Sequence, residues 1–170
     1  MPNGAELICR FSDDSLKETW KSMAEKEQIE GKLTSDEVKA LKSGDVHHKN
    51  FPKASCLKST LKAGAHKGRS GCSRSRVLVK GFQSKNDKVF VYHIACFMLN
   101  DKPDQTVPVT CSHLCCDCNC VNPHHLNWET LSVNKTRECC QLFKKLQGYK
   151  CPHSPPCAGF ENRSCVPIEL

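Results

Sequence analysis

The chain has 170 residues, a formal net charge of +7 and 14 cysteines, with only 6% aromatics. That length fits one domain with a thin core and an appended helical piece. No apolar run approaches the roughly eighteen residues of a membrane span and no leader-like segment opens the sequence, so neither a spanning nor an exported protein is expected. The expected location is intracellular, where a reducing interior makes bound metal a better explanation of the cysteines than disulfides.

Residues 1–46 carry ten acids. Within them, Leu16, Trp20 and Met23 recur at helical spacing, and Thr34 with Glu37 forms a capping-box pattern ahead of Val38 and Leu41. Residues 13–43 therefore read as two short helices that pack or dock. The charge then reverses: Lys49 to Lys102 holds twelve Lys and Arg against Asp87 and Asp101. A stripe of this kind is the footprint of a phosphate-backbone partner, because each cation docked on a phosphate releases counterions. A solvated surface is the plainer reading. The Ser, Thr and Gly interleaved in "KSTLKAGAHKGRSGCSRSR" suit phosphate contacts, which makes Lys62, Lys67, Arg69 and Arg74 candidates. "RVLVKGFQSKNDKVFVYHIACFML", residues 76–99, has two β-rich runs around "QSKND" and reads as an antiparallel hairpin, with Arg76 and Lys80 on its first strand. The remainder is rich in cysteine, with one helix from about Thr130 or Ser132 to Leu146. Trp128 reads as core, packing that helix on the hairpin.

Tetrahedral zinc wants four Cys or His ligands delivered from short loops. One loop offers Cys115, Cys120 and, five residues on, His125, with Pro123 stiffening the turn; Cys118 is an alternative to Cys120. A fourth ligand must come from elsewhere. "CPHSPPC" offers Cys151, His153 and Cys157, and Cys139 or Cys140 completes that set, with Cys140 chosen. Cys111, Cys116, Cys118 and Cys165 otherwise read as small buried apolar residues or bystanders.

"SHLCCDCNCVNPHHLNWETLSVNK", followed by "CC" and "CPHSPPC", resembles the His-Cys box homing endonucleases, a branch of the ββα-metal nucleases. The likeness is dense over residues 111–157, faint over 56–99 and absent before about residue 50. It implies a small α+β zinc-stabilised ββα-metal domain over 51–160, preceded by a helical extension over 1–50 and followed by a tail over 161–170. In that family the first zinc takes its fourth ligand from a Cys about twenty residues before an Arg on the sheet; Cys56 precedes Arg76 by twenty, so Cys56 is chosen over Cys72. The resemblance further implies His113 as general base, Asn134 as the sole protein ligand of a catalytic Mg²⁺ or Mn²⁺, and Arg76 beside the scissile phosphate. The implied function is metal-dependent endonuclease cleavage of double-stranded DNA, leaving 5′-phosphate and 3′-hydroxyl. Two structural zinc ions, a homodimeric partner and a nuclear location go with it. A zinc-stabilised DNA-binding module without cleavage, and a zinc-built interaction domain, are the alternatives.

Overall fold

A computed structural model describes residues 4–62, 75–143 and 150–157, without the side chains of 138, 139, 141 and 142. The described chain begins with a short helix, α1 (Gly4–Ile8), and a longer one, α2 (Asp13–Glu25). The side chain of Ser12 caps α2 by accepting from the Ser15 amide, and Asp13 and Asp14 sit at the positive end of its dipole. Leu16, Trp20 and Met23 form its buried face, as the helical spacing predicts. After a two-residue strand, β1 (Ile29–Glu30), helix α3 (Ser35–Ser43) starts at the expected capping box. The Thr34 amide donates to Glu37 at 2.7 Å and the Glu37 amide to Thr34 Oγ1 at 3.3 Å. Gly44, at φ +76°, ends α3 in the left-handed conformation that favours glycine.

Strand β2 (Lys58–Ser59) pairs antiparallel with β1, and β3 (Arg76–Leu78) with β4 (Lys88–Phe90). The expected hairpin thus exists, with Arg76 opposite Phe90 and Leu78 opposite Lys88. Its second strand is shorter than the sequence suggests. "VYHIACFML" forms a helix, α4 (Val91–Leu99), whose residues Val91, His93, Ile94, Ala95, Cys96 and Phe97 are all buried. A continuous apolar run has no face to betray its period, so a buried helix and a buried strand look alike in sequence.

A third sheet, not anticipated, is formed by β5 (Val109–His113) and β6 (Leu126–Thr130). Five antiparallel pairs run from Val109↔Thr130 to His113↔Leu126. Helix α5 (Leu131–Phe143) follows directly and packs on both strands. Its start matches the expected helix, and 144–149 lie outside the described residues.

One cluster of buried apolar side chains extends from Ile8, Leu16 and Trp20 through Leu57, Val79 and Ile94 to Val121 and Leu126. The N-terminal helices therefore supply part of the core that carries the sheets. Trp128 packs against the same cluster, its ring 5.5 Å from that of His93. No helix among the described residues is long and apolar enough to cross a membrane.

Candidate metal centres and the surrounding face

The loop between β5 and β6 brings Cys115, Cys120 and His125 onto Cys56, with one ligand atom from each within 4.8 Å of all the others. Two backbone links draw Cys56 in: Lys58 bridges Cys120, and the Val121 amide donates to Leu57 O at 2.8 Å. Asn122, fully buried, does more. Its side-chain amide donates to Pro52 O at 2.6 Å and Ser55 O at 2.7 Å, while its oxygen accepts from the His124 amide at 3.0 Å. One side chain thus fixes the turn that carries His125 and the segment that carries Cys56.

The His125 ring is oriented by proton bookkeeping. Its Nε2 lies 2.8 Å from Lys53 O, and a carbonyl can only accept, so Nε2 carries the hydrogen. The lone pair of Nδ1 then faces the sulfurs of Cys56 and Cys120, at 3.6 and 3.5 Å. Metal-ligating histidines are oriented by this kind of outer hydrogen bond. Burial, with Cys115 alongside, pushes the Cys56 thiol up to about 11. Three soft sulfurs and an imidazole nitrogen converging from short loops form the donor set that suits zinc. Cys118, disulfide-bonded, is not part of this group.

The second cluster joins Cys140 of α5 to Cys151, His153 and Cys157, again with ligand atoms within 4.8 Å of one another. The three sulfurs surround His153 Nδ1 at 3.2, 3.3 and 3.8 Å. Thr136 sets this ring. Its hydroxyl donates to Val133 O at 2.7 Å, so its oxygen accepts from His153 Nε2 at 2.8 Å, again leaving the Nδ1 lone pair facing the thiols. Cys140 stands in this group; the side chain of Cys139 lies outside the described ones.

Arg137, buried in the middle of α5, ties this cluster to the sheet. Its Nη1 donates to Cys157 Sγ at 3.4 Å, its Nε to Glu129 at 2.7 Å, and its Nη2 makes a second short contact to the same carboxylate. Burial would raise the Glu129 carboxyl, but hydrogen bonds led by that from Arg137 hold it below its ordinary range. Burial also pushes the Cys157 thiol up to about 12, against the lowering effect of Arg137.

His113 is the last residue of β5, half-buried, with its backbone held on both sides of the turn. It pairs with Leu126 across the sheet, and the next amide, Leu114, donates to the carbonyl of His125 at 2.7 Å. A row of rings joins it to the first hairpin. The Arg76 guanidinium lies 4.3 Å over Phe90, Phe90 stacks on Tyr92 at 5.3 Å, and Tyr92 meets His113 at 5.2 Å. Asn134 is half-buried in the first part of α5, the helix that packs on β5.

Among the predicted phosphate contacts, Arg76 is exposed on β3, Lys80 lies exposed in the turn two residues beyond that strand rather than on it, paired to Glu18 at 3.3 Å, and Lys62 is exposed after β2. Lys67, Arg69, Arg74 and the alternative ligand Cys72 lie outside the described residues. Sequence reasoning missed Asn122, Thr136, Arg137 and Glu129. The Asn-Pro step before His125 hinted at the first; nothing local distinguishes Arg137 from a surface arginine.

Comparison with known proteins bears on the whole assembly. No curated protein and no solved structure matches the chain. Residues 54–166, which take in both clusters, His113 and Asn134, match the family described as the zinc-binding loop region of homing endonuclease. The chain belongs to that family.

Proposed function

We propose that the protein is a metal-dependent endonuclease that hydrolyses phosphodiester bonds in double-stranded DNA and holds one zinc ion in each Cys₃His cluster. The observation that carries the reading is the placement of His113: it ends β5, and the residue after it is bonded to the carbonyl of the cluster member His125. A base held in this way has little freedom to leave its position, which is what general-base catalysis needs.

His113 would take the proton from a water as that water attacks phosphorus. Arg76, supported over Phe90, would stabilise the charge growing on the phosphoryl oxygens. Asn134 offers one hard, neutral amide oxygen, which fits a Mg²⁺ or Mn²⁺ ion that takes the rest of its shell from water and phosphate. Such an ion would supply charge neutralisation at the departing 3′ oxygen. The strand is then left with 5′-phosphate and 3′-hydroxyl ends.

The test is incubation of the zinc-loaded protein with a randomised duplex library, with and without Mg²⁺, followed by end analysis. Cleavage that requires the divalent ion and leaves those ends supports the assignment. Duplex binding with no cleavage under any divalent ion would make the chain a DNA-binding module instead.

A further inference from the structure

A groove of about 490 Å³ runs between α2 and β3, and no residue of either cysteine cluster is in its lining. Four of its lining residues are cations: Lys26 at the end of α2, Arg76 on β3, Lys80 in the turn beyond it, and Lys88 on β4. Among the described residues no carboxylate lines it. Ser22 and Gln28 add neutral polar groups from the helical side. Among the described residues Lys26 and Lys88 form no ion pair, whereas Lys80 is engaged by Glu18, at 3.3 Å, from beyond the lining.

The two walls come from distant parts of the chain and are held together by the core. Trp20 and Met23 of α2 are buried in the same cluster as Val79 and Val89 of the hairpin, and the Lys80 amide donates to Thr19 Oγ1 at 2.8 Å. The backbones that carry the opposed cations are therefore held in a set relation. A trough with cations on both walls and no acid in its lining matches an extended polyanion better than a peptide, whose backbone is neutral.

We infer that this groove holds the sugar-phosphate backbone of a DNA strand leading away from Arg76, so that the N-terminal helices are part of the DNA-binding surface. This rests on the endonuclease reading for the identity of the polyanion. Lys26 and Lys88 each contact a phosphate, and Glu18 restrains binding by occupying Lys80.

The experiment measures duplex affinity of the full zinc-loaded chain by fluorescence anisotropy over a range of KCl without Mg²⁺, so that binding alone is read. Lys26→Ala/Lys88→Ala should make the slope of log affinity against log salt shallower by about 1.8, and weaken all sequences alike. The control Lys17→Ala/Lys39→Ala removes two exposed cations elsewhere and should leave the slope nearly unchanged. Glu18→Gln should strengthen binding, an effect that damage to the fold cannot produce. If wild type binds duplex while the groove pair matches wild type or its control, or if Glu18→Gln does not bind more tightly, the groove is not the strand path and the endonuclease reading stands. A wild type that binds no duplex overturns both.

Discussion

Arg137 donates to the sulfur of Cys157 at 3.4 Å from a position only 1% exposed. Its charge is balanced by Glu129, itself 7% exposed, so the pair works only as a unit. Removing one member of a buried ion pair strands the other charge and costs about 3–5 kcal/mol. Arg137→Met should therefore destabilise the protein by that order in denaturant unfolding. Arg137→Met with Glu129→Gln should recover part of the loss. A double variant no more stable than the single would show that Arg137 acts through Cys157 rather than Glu129.

Elemental analysis of the purified protein should give two zinc ions per chain. Metal-thiolate coordination supplies much of the folding free energy of small zinc domains, and strong chelation should unfold this one. A ratio near one, or an unchanged circular dichroism spectrum after complete chelation, would contradict the two-centre assignment.

Asn122→Ala should cost about 2–4 kcal/mol, because it leaves the buried carbonyl of Pro52 and the partly buried one of Ser55 without donors. Asn122→Asp should be worse, since it sets oxygens against those carbonyls. Cys56→Ser should reduce the zinc content toward one per chain and damage folding more than Cys72→Ser. The reverse order would make Cys72 the ligand in solution.

For catalysis, His113→Ala should fold, bind DNA and cleave at least about a hundredfold more slowly, the usual worth of a general base. Asn134→Ala should lose cleavage similarly but regain part of it at high Mg²⁺. Raised pH or added imidazole should help only the His113 variant. Normal cleavage by His113→Ala would remove it from the mechanism.

Trp20 is fully buried at the centre of α2. Trp20→Ala should cost about 3–5 kcal/mol and lower the midpoint of one global transition, because the cluster it occupies also contains Leu57, Ile94 and Leu126. A separate early transition confined to the N-terminal helices would show that they fold independently.

The features legible in sequence were those written in local spacing. The capping box at Thr34 and the face of Leu16, Trp20 and Met23 depend on neighbours a turn away, and the ligand pairs in each cluster sit in short loops. Helix α4 was hidden because it is buried nearly all round. The β5–β6 pairing was hidden because cysteines and polar residues interrupt alternation at Cys111 to His113 and Asn127 to Glu129, where ring packing and the Arg137 pair replace a simple apolar face. Arg137 itself could be recognised only once Cys157 and Glu129 were seen on either side of it.

The two clusters also differ in how far apart along the chain their members lie. Cys140, Cys151, His153 and Cys157 come from one stretch, whereas Cys56 must meet a loop that begins at Cys115. The entropy of closing a loop rises with its length, and long-range contacts form late. The near cluster would therefore capture a zinc ion while most of the chain is still unstructured, and the far cluster only once β2 has met the turn at Asn122. Zinc uptake would then follow an intrinsic order, with the second ion recording completed assembly.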